Sequence, residues 1–435
     1  MAGGLMQLVA YGAQDVYLTG SPKVTFFQAV YKRHTNFAME NIEQVVNGTA
    51  ANGARLSVTV ARNGDLIGEM YLELEANVAL EVSTNETAAA RASASGEWVA
   101  ERAIADIELT IGGQRIDKHY QKWWRLYSEL YLDEAKKLQY GKMASSATTA
   151  QNKVYLPLIF FFNRNPGLYL PLIALQYHEV RLDITLSSSY SAYFTSSSSV
   201  NAVKVWGNYV YLDTEERRRF AQKGHEYLIE QVQHTGVDTV NDTAAAKQVR
   251  LSYNHPVKEL VWCFSANGTA PTGNDLWDTS NGAGSNVTTI SSAGVARVAA
   301  NSTVASLSTV GAPLMVVNGS QWVSEEAAAG GPLSTFKLIL NGQDRFKEQS
   351  GKYFNQVQPF YHHSGNPYLG VYSYSFALKP EEHQPTGTCN FSRIDNAQVE
   401  VKTKGSTTKT SMHMFAVNYN VLRIQSGMGG LAFSN

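Results

Sequence analysis

The residues of this 435-residue chain that bear on chemistry are ten histidines, two cysteines, a few paired acids and several Asn-x-Ser/Thr triplets. Metal sites need histidines, cysteines or acids at turn-like or helical spacings. His119, His178, His225, His255 and the pair His362-His363 fall in no such spacing and read as structural or surface histidines. Neither Cys263 nor Cys389 has a histidine adjacent in sequence to serve as its base, and the chain has no nucleophile elbow or phosphate-cradling glycine loop. Glu215-Glu216 and Glu381-Glu382 sit at expected element ends, where caps or solvated charges are a better reading than a glycosidase pair. Arg217–Arg219 reads as a solvated helix face or a set of interdomain salt bridges rather than a phosphate site. Trp123-Trp124 has helical spacing with other apolar residues, which favours core packing over a sugar platform. No catalytic, cofactor-binding or metal-ligating residue is therefore assigned. The remaining candidates are glycan acceptors: Asn267, Asn286, Asn301 and Asn318, each in acceptor form within a polar stretch. Asn390-Phe-Ser borders an expected strand and is set aside.

The elements that would position such residues start from the stretch 154–186. Val154–Phe162 and Leu168–Leu175 are apolar runs broken by Asn-Arg-Asn-Pro-Gly, and Val180–Leu186 alternates. A membrane helix needs about 20 uninterrupted apolar residues. Arg164, Pro157, Pro166 and Pro171 rule that out, so the runs are expected as two fully buried strands and one half-buried strand at the heart of a β-sandwich. Arg55–Glu75 reads as two strands around the turn Asn63-Gly64-Asp65, and Ile107–Ile111 as another strand closed by Gly112-Gly113. Ile116, Tyr120, Trp123, Tyr127 and Leu130 recur at helical spacing, predicting one helix to about Gln139. Val203–Leu212 reads as a strand, followed by a short charged helix that Asp213 caps. Ser21-Pro22 starts another helix, while residues 1–20, 76–100 and the glycine-rich 427–430 read as arm, loop and flexible tail.

Composition narrows the class. Charged residues are 17% against the usual ~25%, and there are 23 tyrosines, a balance suited to surface that partners cover. A net charge of −1 argues against direct nucleic-acid binding. Two cysteines cannot staple a chain of this size; free thiols are expected, with a single bridge left open. The first residues, MAGGLMQLVAYGAQD, lack the basic and apolar regions of a secretory signal, and Ala2 stands where myristoylation needs glycine.

The second half repeats the first. Arg55-Leu-Ser57 is echoed by Arg250-Leu-Ser252, and Leu109–Arg115 by Ile339–Arg345. Tyr155–Phe162 and Val180–Leu186 are echoed by Tyr372–Leu378 and Ala397–Val401. The landmarks keep their order roughly 200 residues apart, predicting two similar antiparallel sandwiches in tandem.

With that repeat established, the chain resembles the major capsid proteins of large icosahedral DNA viruses, those of the algal chlorovirus group above all. The resembling segments include residues 1–40, IGGQRIDKHY (111–120), VYLPLIFFFNRNPGLYLPLIALQYHEVRL (154–182), LDTEERRRFAQ (212–222), LNGQDRF (340–346), GTCNFSRIDNA (387–397) and NYNVLRIQSGMGGLAF (418–433). The match lapses at 76–100, 141–152, 236–247 and 266–332. The resemblance implies an all-β double jelly roll of two eight-stranded sandwiches, with short helices in loops and at the N-terminus. On this reading 1–24 is an arm, 25–212 the first jelly roll, 213–224 a linker helix and 225–435 the second. It implies a structural protein of the virion, not an enzyme, made and assembled in the host cytoplasm. Homotrimers would form pseudo-hexagonal capsomers that meet neighbouring capsomers. The arm would face minor capsid proteins and an internal membrane, and outer loops would be glycosylated by viral enzymes. The competing reading, a carbohydrate-binding or carbohydrate-active sandwich, expects a signal peptide, rim aromatics and convergent acids.

Overall fold

A computed structural model describes residues 31–76, 98–145, 152–188, 190–194, 203–241, 245–265, 331–367, 370–404 and 409–433, with Phe27 and four short strand segments between 289 and 322. The arm, most of the Ser21-Pro22 helix and the four acceptor asparagines lie outside the described residues. In the first half the main elements are β1 (Phe37–Gln44), β2 (Arg55–Thr59), β3 (Leu66–Ala76), β4 (Ile104–Ile111), β5 (Gln114–Tyr120), α1 (Gln121–Leu130), α2 (Glu134–Ala144), β6 (Asn152–Pro157), α3 (Phe161–Arg164), β7 (Val180–Leu186) and β8 (Val203–Leu212). After α4 (Thr214–Gln222) come β9 (His225–Gln233), β10 (Lys247–Leu251), β11 (Pro256–Ser265), β12 (Leu333–Leu340), β13 (Gln343–Asp344), α5 (Gln358–His362), β14 (Val371–Ser375), β15 (Ala397–Thr403), β16 (Ser411–Gln425) and β17 (Met428–Leu431).

These strands form two sheets per half, in the same order both times. The first half pairs β1-β8-β3-β6 and β2-β7-β4-β5; the second pairs β9-β16-β11-β14 and β10-β15-β12-β13. Every main strand thus has a counterpart at the same place, which is the double jelly roll. The echoed Leu109–Arg115 and Ile339–Arg345 are the equivalent β4–β5 and β12–β13 hairpins. Their tight turns put both central residues at positive φ, Gly112 and Gly113 at 58° and 82°, Asn341 and Gly342 at 50° and 79°. Glycine and asparagine are the residues that tolerate this region. Gly112 is needed twice over, since a Cβ there would meet the His178 ring at 2.3 Å.

Each sandwich closes on apolar side chains from both of its sheets. In the first, Leu56, Val58, Ile107 and Leu182 meet Met70, Leu72, Leu74, Val154 and Val205. In the second, Val249, Phe336, Leu338 and Val399 meet Leu260, Trp262, Phe264 and Met414. Trp262 stacks on Phe336 at 4.4 Å between ring centroids. Replacing a tryptophan so enclosed by alanine costs about 3–5 kcal/mol.

Four expectations need correction. Asn63-Gly64-Asp65 does not close a hairpin, because β2 and β3 lie in different sheets and the turn crosses the sandwich. The apolar stretch 154–175 is buried, but only Asn152–Pro157 and Leu170–Pro171 are strand; Phe161–Arg164 is a helical turn. Pro157, Pro166 and Pro171 withhold ladder donors, and burial on every side removes the periodicity that tells strand from turn. The single helix to Gln139 divides: Ile116 and Tyr120 lie on β5, and α1 stops at Leu130 before α2 restarts with Asp133 accepting from the Lys136 amide at 2.7 Å. Gly427–Gly430 is no tail but the turn and strand of the β16–β17 hairpin, with Gly430 opposite Arg423. By contrast β8 spans Val203–Leu212 as expected, and Asp213 Oδ1 accepts from the Thr214 amide at the head of α4.

Candidate functional site at the seam between the two sandwiches

Among the described residues the most heavily built surface is internal. The sheet β9-β16-β11-β14 has two apolar faces. Leu260, Trp262, Met414 and Ala416 point into the second sandwich. Val261, Cys263, Val371, Phe415 and Val417 point the other way and belong to the core of the first, which Leu422 and Ile424 join further along β16. β11 is accordingly buried along nearly its whole length, as a strand covered on both faces must be. The cover comes from β5, α1 and α3. Trp123 lies 5.7 Å from Phe415 between ring centroids, Gln231 donates to the Ile116 carbonyl, and Asp117 accepts from the Val232 amide at 3.0 Å. Trp123 and Trp124 are both buried, and Trp124 Nε1 donates to the Pro157 carbonyl at 3.1 Å, so the tryptophan pair is core as expected.

Charge is concentrated in this seam. Glu230 on β9 receives Arg164 of α3 at 2.9 Å and Lys258 of β11 at 2.7 Å. His363 lies between Glu259, 3.1 Å away, and Glu381, 3.3 Å away, with the Tyr131 ring edge-on at 5.3 Å. Glu259 and the His363 ring are fully buried. Burial alone disfavours charge on that ring, but the Glu259 carboxylate, with Glu381 beyond it, pushes its pKa up to about 9. Burial likewise works against ionised Glu230, yet Arg164 and Lys258 hold its carboxyl below the usual range. His383 sits 4.0 Å from Glu230, and burial holds it below the ordinary histidine value. Three basic groups, Arg164, Lys258 and His363, thus face three acids, Glu230, Glu259 and Glu381. Such a balanced set is strongly destabilised by losing one member, because its partner is then a buried lone charge.

The segment 363–366 is clipped to the first sandwich from the other side. Gly365 donates its amide to the Leu130 carbonyl at 3.0 Å, and Lys137 donates to the Asn366 carbonyl. At the far end Tyr177 donates its amide to the Gly427 carbonyl at 3.0 Å, and Leu431 donates to Gln114 at 3.1 Å. The seam therefore runs from the α1–α2 corner to the β16–β17 hairpin.

Of the residues singled out in the sequence, His119 pairs with buried Asp117 at 3.0 Å, His225 Nε2 bonds the Phe220 carbonyl at 2.8 Å, and His178 lies 2.8 Å from the Gly429 carbonyl. These are structural roles, and among the described residues no group of three or more His, Cys, Asp or Glu side chains is placed to hold a metal. Arg217 makes an ion pair with buried Asp65 at 3.0 Å, joining α4 to the first sandwich, while Arg218 pairs with Glu215 on the helix surface. Glu382 is a solvated partner of Lys379, but its neighbour Glu381 belongs to the seam. Both cysteines are free: Cys263 is buried and Cys389 half-buried. The reading of the sequence missed Arg164, Glu230, Lys258 and Glu259 as a set. The available signal was Lys258-Glu259 inside an otherwise apolar strand, where charge is placed only if a partner waits for it.

Two sandwiches of identical strand order are joined here by a wide apolar and ionic seam. Comparison with known proteins identifies the family. Residues 25–213 match the family model described as major capsid protein N-terminus, and 216–430 match that of the large eukaryotic DNA virus major capsid protein. The chain is 43% identical over 473 residues to the major capsid protein of Paramecium bursaria Chlorella virus 1 and 41% identical over 468 residues to that of Pyramimonas orientalis virus, with 100% of each chain covered. A structure of the PBCV-1 virus capsid, a quasi-atomic model, superposes with a TM-score of 0.72 at 38% identity, covering 94% of this chain and 100% of that one. The Faustovirus major capsid protein shares the fold at 12% identity, with a TM-score of 0.66 and 97% and 96% of the two chains covered. The chain belongs to the major capsid proteins of large eukaryotic DNA viruses. It is a structural protein of the virion capsid, and the carbohydrate-active reading finds no support.

Proposed function

We propose that the protein works as a homotrimer whose six sandwiches give a capsomer of pseudo-hexagonal outline, and that neighbouring capsomers tile an icosahedral shell. The observation that carries this is the repetition of one strand order in the two halves, because a ring of three such chains has six nearly equivalent units. Such contacts are heterologous and close into a ring. The subunit divides into an arm (1–24), a first jelly roll (25–212), a linker helix (213–224) and a second jelly roll (225–435). The arm faces minor capsid proteins and an internal membrane, in a shell assembled in the host cytoplasm and without direct contact to nucleic acid. Sedimentation of the purified chain tests the trimer: three times 47.7 kDa is expected, and a monomer at micromolar concentration overturns it.

The insertion 266–332 forms the outer, glycosylated face, with Asn267, Asn286, Asn301 and Asn318 as acceptors. It fills the slot between β11 and β12, and the slot between equivalent β3 and β4 holds the shorter 77–103 connection. Equivalent slots in a repeated sandwich open at the same end, so both crown one face. Peptide mass spectrometry of virion-derived protein tests this; unmodified peptides across 266–332 overturn it.

A further inference from the structure

The two halves repeat each other strand for strand, yet among the described residues elements of the other half cover only one of two equivalent sheet faces. The outer face of β9-β16-β11-β14 is buried by elements from two slots of the first half: α1, between β5 and β6, and α3, just after β6. The second half has the same two slots. Between β13 and β14 it carries a π-helical turn (Tyr353–Val357) running into α5, and just after β14 it carries residues 376–378. In the first half these slots hold buried Trp123, Trp124 and Phe160–Phe162. In the second they hold Phe360, 80% exposed, and Tyr361 and Leu378, each 73% exposed. The rings of Phe360 and Tyr361 lie 5.2 Å apart, and His362 Nδ1 is 3.0 Å from the Leu378 carbonyl, so the three form one projecting apolar knob.

The face such a knob would cover is the outer face of β1-β8-β3-β6. There Met39 is exposed, and Tyr71, Tyr155 and Trp206 are half-buried. Tyr71 and Tyr155 pack edge to face at 5.9 Å. Phe360, Tyr361, Leu378 and Met39 are all exposed, so the contact is not made among the described residues.

We propose that the second sandwich of one copy sets Phe360, Tyr361 and Leu378 against the β1-β8-β3-β6 face of a second copy, repeating between chains the seam that joins the sandwiches inside one. Aromatic anchors on one side meet Tyr71, Tyr155 and Trp206 on the other, set among the charge pairs Glu73–Lys153 and Glu43–Lys204. Because knob and face are different surfaces, the contact runs head to tail. This rests on the self-association proposed above and names its surface.

The test is the mass of the full chain and of the double variant Phe360→Asp/Tyr361→Asp by sedimentation, with a melting curve for each. The wild type is expected at three chain masses, and the variant at one with a cooperative melt of the folded single chain, since both rings are exposed. A second measurement does not depend on the variant folding: Tyr155→Cys and Tyr361→Cys together, in a Cys389→Ser background, are expected to give chain-linked dimers and trimers on mild oxidation, and either cysteine alone is not. A trimeric wild type whose Asp variant stays trimeric and whose cysteine pair does not link overturns this surface and leaves the trimer standing. A monomeric wild type overturns both.

Discussion

The outer faces of two equivalent sheets, β9-β16-β11-β14 and β1-β8-β3-β6, have the same strand order and opposite fates. The first is interior: β11 is buried on both faces and carries Glu259 and Lys258 among apolar residues. The second is a surface: β3 buries Met70, Leu72 and Leu74 and turns Tyr71 and Glu75 outward, half-buried. Each face has a glutamate holding an ion pair. Glu230 sits between Arg164 and nearly inaccessible Lys258, whereas Glu73 pairs at 2.8 Å with Lys153, whose side chain is 55% exposed, and accepts from Trp206 at 2.9 Å. Repetition thus fixes the backbone, and the cover over each face decides what its side chains are worth.

The comparison is broken most directly at Glu230. Replacing it by alanine leaves Arg164 and Lys258 as buried cations, and losing one member of a buried ionic set costs about 3–5 kcal/mol. Urea unfolding of Glu230→Ala should show a correspondingly lower midpoint. A midpoint equal to that of the wild type would mean that water reaches the seam.

The next effect is a stability profile with two edges. The His363 pKa is raised from 6.5 to about 9, so its contribution is complete below about 6.5 and drains away as pH climbs through about 9. The amount is on the order of 3 kcal/mol at about 1.4 kcal/mol for each pH unit. Glu381 and Glu230 shift the other way; burial opposes their ionised forms, but His363 and the Ser364 amide hold Glu381 down, and Arg164 and Lys258 hold Glu230 down. Their contribution is present above about 4.5 and is lost as pH falls through the lowered values. Melting temperature against pH should therefore fall on both sides of a plateau. His363→Gln should remove most of the alkaline edge and reduce the acid edge to what Glu230 and the Ser364 contact of Glu381 carry.

How much of this was legible follows from the same contrast. The duplicated landmarks, the β8 strand and the strand end at Gly112-Gly113 were readable because local chemistry decides them: glycine and asparagine tolerate the positive φ that both equivalent turns need. The stretch 158–175 was not, since residues buried from all sides lose the alternation that separates strand from turn. Nor was the glutamate–histidine set, whose members Glu259, His363 and Glu381 are far apart in sequence and meet only when the second sandwich closes. The β2–β3 turn misled for a related reason. Asn-Gly-Asp bends the chain as expected, but which sheet receives the next strand is settled by long-range pairing, β2 with β7 and β3 with β8 and β6.

A smaller effect is expected at Arg217. Its guanidinium is half exposed, so water screens the pair with Asp65. Asp65 also accepts from the Leu212 amide at 2.8 Å and keeps that partner. Arg217→Ala should cost about 1 kcal/mol or less, readable as a small shift in urea midpoint. A loss as large as that of Glu230→Ala would show that α4 is a principal brace of the chain.

The smallest effect sharpens the comparison furthest. Lys153→Ala removes the solvent-facing partner of Glu73 while Trp206 still donates to it, so the isolated chain should lose little stability. The same substitution reads differently once a second copy covers the β1-β8-β3-β6 face. Glu73, already nearly buried, would then lose its remaining access to water and keep one hydrogen bond and no cation, a buried lone charge as costly in kind as the cations that Glu230→Ala strands at the seam. Lys153→Ala should therefore leave the urea midpoint of dissociated chain almost unmoved yet weaken association, seen as a larger monomer fraction on dilution. Equal association of wild type and variant would place this face at the solvent in the assembled protein, and with it would go the idea that the internal seam is repeated between chains.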